Sequence, residues 1–341
     1  MTRLSCTLLA ACLAAPLAHA ATTCVDSAAG IAAALDAAEA NGEDDDIRIV
    51  AGHYALPAAL VHSTHEAFAL RLSGGWAAGC STRAGTATTL DGGGSHRVLQ
   101  VTSDATGDLE ITDLVFSGGW NDAATAGGAL AVETASRDVL IERNLFAGNE
   151  DTHQGGAARI AVSTADSVVR LRNNIVVGNS APEGAGLVVN AGIGDAWIVN
   201  NTVIANSTNV PGALCAGLCV FGGSAFTLSN NILWNNPAGD LHIGTTGTTT
   251  LLHNDIGSIS GGAPGPGSVG NLDVEPGFGP GLFNLRLAAD SPLVDAGLDA
   301  APGGIGALDY GRMPRLQDAH VDIGAYEFSD AIFSDGFDVS P

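Results

Sequence analysis

Six segments of the chain can be laid in register: Leu109–Phe116, Val139–Asn149, Val169–Asn179, Ala196–Asn206, Phe226–Asn236 and Thr249–Asn254. Their central apolar residues, Ile111, Ile141, Leu171, Ile198, Leu228 and Leu251, follow at intervals of 30, 30, 27, 30 and 23 residues. A second short apolar stretch stands ahead of five of these anchors, at Ala129–Val132, Ile160–Val162, Leu187–Val189, Leu218–Val220 and Leu241–Ile243. Such units are too short for a strand, a crossover helix and a second strand. A repeat of strand, turn, strand, turn with irregular insertions is one coil of a β-solenoid.

Asparagine marks the turns. Asn144, Asn174, Asn201, Asn231 and Asn254 form one column, and Asn149, Asn179, Asn206 and Asn236 form another, five residues further on. Coils stack about 4.8 Å apart, so in-register side-chain amides can donate to one neighbouring coil and accept from the other. A ladder of this kind lets a tight bend be buried with its polar groups satisfied. Ordinary turn asparagines would not keep step with an apolar column.

Ahead of the repeats, Ser27 to Ala40 reads as a helix with Ser27 as N-cap, a stripe of Ile31, Leu35 and Ala38, and a stop at Asn41-Gly42. It is placed to plug the apolar end of the solenoid. The expected organisation is a signal segment over 1–20, the capping helix and linker over 21–46, coils over 47–257, a closing segment over 258–328 and a short tail over 329–341. Roughly eight coils make a rod on the order of 40 Å long.

These Asn-Asn repeats resemble the right-handed parallel β-helix proteins of the pectate-lyase-like superfold. Asn284-Leu-Arg-Leu287, Ser291-Pro-Leu-Val-Asp-Ala-Gly297, Asp309-Tyr-Gly-Arg-Met-Pro-Arg315 and Val321-Asp-Ile-Gly-Ala-Tyr-Glu327 are similar to the closing segment of bacterial surface β-helix proteins of the choice-of-anchor Q type. The resemblance implies an all-β chain, a right-handed parallel β-helix, export, and in many members a C-terminal anchor. Beyond Glu327 this sequence shows neither an apolar tail nor a basic stop. Ile332-Phe-Ser-Asp-Gly-Phe-Asp338 instead resembles a short tail of other secreted bacterial proteins.

Thirteen basic residues, every one an arginine, face 36 acidic ones, for a net charge of −23. That balance argues strongly against nucleic acid as a partner. No arginine lies between Asn173 and Leu285, so backbone ladders and apolar stacking must hold that half. Residues 1–20 read as a secretory signal: Arg3, an apolar run from Leu4 to Leu17, and Ala18-His19-Ala20 with cleavage after Ala20. Leu9 to Cys12 also fits a lipoprotein box, but the apolar run continues past it. Cleavage leaves Cys24, Cys80, Cys215 and Cys219, an even number for an oxidising compartment, so two disulfides are expected. Cys24–Cys80 with Cys215–Cys219 is the natural pairing, and the rival pairings are compatible with the sequence. No later segment suits a bilayer helix, and a monomer is expected.

Lyases of the resembled superfold take a proton from beside a uronate carboxylate, which requires a base and a cation such as Ca²⁺ or arginine. Glu142 and Arg172 fall at equivalent places in neighbouring coils, with Arg143, Arg159 and Arg170 nearby and Asp138, Glu150, Asp151 and His153 around them. The arrangement is either an anion-binding patch or a set of stacked ion pairs worth about 1 kcal/mol or less each; the second weighs more. The Gly-His-Gly and Arg-x-Lys segments of polygalacturonase-like hydrolysis do not occur. His62, His65 and Glu66 are expected in a polar loop. Glu43 to Asp46 could hold Ca²⁺, but an acidic linker after the capping helix is the expected reading, and no metal or other cofactor is expected. Asp295, Asp309, Asp322 and Glu327, with Arg312, are expected to fix the closing segment by hydrogen bonds. Trp76 and Trp120 each follow a Gly-Gly pair, where a ring either faces a sugar or covers an insertion loop. The expected function is a binding or adhesion scaffold for glycans or surface polymers. The alternative is a lyase or epimerase of acidic polysaccharides centred on Arg143, Arg159, Arg170 and Arg172.

Overall fold

The computed structural model describes residues 20–122, 126–223, 225–281 and 284–329. All of the expected signal segment but Ala20, and the expected tail from Asp330 onward, lie outside the described residues. Three sheets run along the molecule. Sheet A has nine strands, from Ala21–Val25 and Asp45–Val50 to Thr249–Leu252; sheet B has eight, from Gly52–Ala55 to Asp255–Ile256; sheet C has eight, from Leu60–Thr64 to Ile259–Gly261. The chain visits A, B and C in turn and returns to A one strand further on, pairing in parallel, so each circuit is a coil and there are eight. This is a parallel β-helix.

Each coil holds three strands where the repeat predicts two. The additional strand, such as Leu145–Ala147 or Ile175–Val177, has three residues. It is pinned between the two asparagine columns and is too short to show an alternation of its own.

The anchors stack in register on sheet A, Leu72 on Ile111, Ile141, Leu171, Ile198, Leu228 and Leu251. All are buried in one continuous core, each contributing roughly 1.5–3 kcal/mol. Both asparagine columns are hydrogen-bonded ladders. Asn144 Nδ2 donates to Asn174 Oδ1 at 3.2 Å, and Asn174, Asn201 and Asn231 repeat this to the next coil at 2.9 Å. Their second amide hydrogens go to the carbonyls of the anchors Ile111, Ile141, Leu171 and Ile198. The other column runs Asn149, Asn179, Asn206, Asn236 in the same way. Its first Oδ1 takes the Gly119 N–H at 2.8 Å; a Cβ on Gly119 would come within 2.9 Å of that oxygen. Two ladder members lie outside the repeat seen in sequence: Asn271 after Asn254, and Asp240 after Asn236.

Helix α1, Ala28–Ala37, closes the N-terminal end with Ile31 and Leu35 fully buried; the Ser27 side chain accepts the Gly30 N–H. His62 differs from expectation. It lies in the strand Leu60–Thr64, faces inward and is buried beneath α1. Its Nδ1 meets the Leu35 carbonyl at 3.3 Å, and the Thr64 hydroxyl donates to the Glu39 carbonyl. The last carbonyls of a helix need partners, and at the capped end inward polar residues supply them. Burial pushes the His62 pKa down.

Cys24–Cys80 and Cys215–Cys219 are both bonded, with Cα separations of 5.7 and 6.3 Å. Cys24 sits on the first strand of sheet A, which pairs only with Asp45–Val50. Opening Cys24–Cys80 by paired serine substitutions is expected to lower stability by roughly 3–4 kcal/mol on the chain-entropy model. Denaturant unfolding checks this, and an unmoved midpoint would refute it.

At the far end, Val269 and Leu272 each add one bridge to sheets A and B. The chain then turns back over the outer face of sheet B towards the N-terminal end. Leu287, Leu293 and Ile323 pack on Ile232, and Tyr310 and Ala325 on Val115, Leu145 and Ile175.

Candidate functional site

The corner between sheets A and B concentrates the charges. The residue just before the first asparagine column is left-handed in six successive coils: Asp113, Arg143, Asn173, Asn200, Asn230 and His253, with φ between 52° and 60°. Five of these side chains bind the closing segment, four through hydrogen bonds to its backbone and Asp113 through Arg312. Asn173 Nδ2 donates to the carbonyls of Ile305 and Leu308, and Asn200 Nδ2 to that of Asp322. Asn230 both donates to and accepts from Leu298, and His253 Nδ1 donates to the Ala296 carbonyl at 3.0 Å.

In the two coils nearest the N-terminal end of this row the position is charged. Asp113 Oδ1 lies 2.8 Å from Arg143 Nε and 2.7 Å from Arg312 Nη2, and its Oδ2 is 3.4 Å from Arg83 Nη2. Glu142 Oε1 lies 2.5 Å from Arg172 Nε and its Oε2 2.6 Å from Arg143 Nη1. Both carboxylates are buried. Burial opposes the charge of Arg143, but the hydrogen bond and charge of Asp113, aided by Glu142, outweigh it and hold its pKa above the ordinary value. Arg83 has less compensation, and burial brings its pKa down to about 10. The closing segment crosses directly above. A Cβ on Gly306, whose φ is 83°, would stand 2.8 Å from Glu142 Oε1. A base needs an oxygen free to reach a substrate, and each oxygen of Glu142 is occupied by a guanidinium.

The structure brings Glu142, Arg143 and Arg172 together and places the other candidates apart. Arg159 is on sheet C, paired with Glu133 at 2.6 Å. Arg170 is two residues from Arg172 on sheet A, paired with Asp138 and lying 4.9 Å over the Trp197 ring. Asp151 accepts from Asn121 and from the backbone of His153 in the turn region between B and C. Trp76 ends a sheet A strand with Arg83 and Arg48 at 3.9 and 4.4 Å from its ring, and its Nε1 donates to Ser73. Trp120 belongs to a two-stranded side pairing with Glu150. Glu43 to Asp46 do not converge: Asp44 accepts the Ala69 N–H, Asp45 pairs with Asn41 and Asp46 with Arg48. Among the described residues no three His, Cys, Asp or Glu side chains gather as a metal would require.

Sequence reasoning missed Asp113, Arg83 and Trp197, and it grouped Arg312 with the closing-segment acids, where Arg315 stands instead while Arg312 reaches Asp113. Asp113 was readable, because it precedes Arg143 by one 30-residue repeat. Arg83 sits in an insertion and Arg312 arrives from the closing segment, so no spacing places either one there.

Residues 100–256 match the family model for the right handed beta helix region. Together with the parallel sheets, that match supports a right-handed parallel β-helix fold. No curated protein and no solved structure matches the chain significantly.

Proposed function

We propose that this is an exported, surface-associated β-helix protein of the choice-of-anchor Q type that acts as a non-catalytic binding scaffold for glycans or other surface polymers. The observation that carries the reading is the engagement of the corner. Glu142, Arg143 and Arg172 neutralise one another beneath the closing segment, and Arg159 belongs to another sheet. Among the described residues, both oxygens of Glu142 face guanidiniums and Arg143 and Arg172 are paired with it, which argues against a ready base or a carboxylate receptor there. The signal-like leader and the two disulfides support export. Long sheet faces with few charged residues suit an extended neutral polymer, and a net charge of −23 disfavours an acidic one.

The test is a polysaccharide and glycan array probed with the chain from Ala21, followed on every hit by absorbance of unsaturated product, with and without Ca²⁺. Binding without turnover is expected. Turnover of a uronate polymer would overturn the scaffold reading in favour of a lyase, and turnover abolished by Arg172→Ala would locate it at the corner.

A further inference from the structure

The closing segment carries a charge cluster that the corner does not use. Arg315 is 1 % exposed, and its Nη2 donates to the carbonyls of Asp322 and Gly324 at 2.8 and 2.7 Å. Its Nε and Nη1 make no hydrogen bond, and neither does Glu327 Oε2, which stands 3.9 Å from Nε. Two further buried carboxylates complete the cluster. Asp309 accepts the N–H groups of Met313 and Glu327, and Asp322 accepts those of Asp295 and Phe328. Glu327 Oε1 accepts only the Asp322 N–H. Three carboxylates around one guanidinium leave a surplus of negative charge in a dry place, and a single bound proton relieves it most cheaply.

We propose that residues 284–328 are a proton-linked strap, docked on sheet B while a proton is held among these carboxylates and loosened when it leaves. The device stands apart from whatever the rod binds.

Glu327 is the group that holds the proton. Burial pushes its pKa up to about 8; Asp322 and Asp309 add to the rise and Arg315 opposes it. Burial also raises Asp309 and Asp322, but each accepts two backbone N–H groups that favour the ionised form. Arg286 faces Asp309 and Asp295 faces Asp322. From the coils, Asn200 and Thr202 reach the same stretch and are uncharged. A carboxyl whose docked pKa exceeds its free value favours docking at low pH, and that preference disappears as pH rises through the docked value. Opening therefore increases by up to about tenfold per pH unit between the two values and flattens above the higher one. What opening uncovers is the apolar row Val115, Leu145, Ile175 and Ile232 on sheet B.

Hydrogen exchange on the chain from Ala21, followed from pH 6 to pH 9 and corrected for intrinsic rates, tests this. Strap amides such as Ile323, Tyr310 and Ala325, which donate to Leu293, Ala325 and Thr202, are expected to open on the order of tenfold or more as pH goes from 6 to 8. Ladder amides of Asn174 and Asn201 are expected to stay unchanged, and Glu327→Gln, which mimics the protonated acid, to flatten the strap response. A strap without pH dependence, a strap that loosens only together with the coils, or an unaltered response in Glu327→Gln overturns the proposal. If that variant does not fold, the parent titration decides alone: strap-only loosening that levels off near the alkaline end supports it.

Discussion

Replacing Asn201 by alanine is expected to lower stability by about 3–5 kcal/mol, a large part of what a domain of ordinary stability possesses. The side chain is fully buried. Its Nδ2 donates to Asn231 Oδ1 and to the Leu171 carbonyl, and its Oδ1 accepts both the backbone N–H and the side-chain amide of Asn174. Truncation strands partners in the coils on both sides, each losing a bond where water cannot reach. An unsatisfied buried polar group costs about 1–3 kcal/mol. Asn271→Ala is the control, since that member is exposed at the ladder's end; a cost below about 1 kcal/mol is expected there. Denaturant midpoints for the two variants settle the matter. Equal costs would mean that the column is decorative.

Asp113→Ala is expected to have an effect of similar size for a different reason. One carboxylate serves Arg143, Arg312 and Arg83, so its removal leaves three guanidiniums facing one another in a partly buried corner. Breaking one partner out of a buried charge cluster costs about 3–5 kcal/mol. Glu133→Ala removes the carboxylate of the exposed pair with Arg159, 47% and 25% exposed, and is expected to cost less than about 1 kcal/mol. Arg312 belongs to the closing segment, so protease cleavage around residues 309–315 should also quicken in Asp113→Ala and not in Glu133→Ala. Comparable stability and cleavage in the two variants would refute the corner as a structural lock.

Much of the fold was legible because a solenoid writes its geometry into spacing. The anchors from Ile111 to Leu251, the columns from Asn144 and Asn149, the Ser27 cap and the count of eight coils all follow from residues that must face the same neighbour in every turn. Features that do not repeat stayed hidden. Asp240 ends a ladder as a different residue type, and Asn271 follows Asn254 after only 17 residues. His62 reads as loop chemistry until the end of α1 is placed above it. The candidate site was half legible: Glu142 and Arg172 share a register position and do meet. Arg159 was drawn in by closeness along the chain, although sheet C faces another way. The partners that decide the corner's character, Arg83 and Arg312, come from an insertion and from a segment about 200 residues beyond Asp113, and periodicity carries no information about either.

The backward path of the closing segment also changes what kind of material the rod is. A stack of coils in which each touches only its neighbours behaves as a one-dimensional array: it can fray from an end or break at a weak step, and damage stays local. Here a single stretch of chain, from Ala296 against His253 to Arg312 against Asp113, is stitched to coils at both ends of that row and to several between. Fraying at the last coil must then wait for the stitches to give, and loss of one coil is felt by distant ones. The zipper becomes a bound spine, and its melting collapses from many small steps towards one.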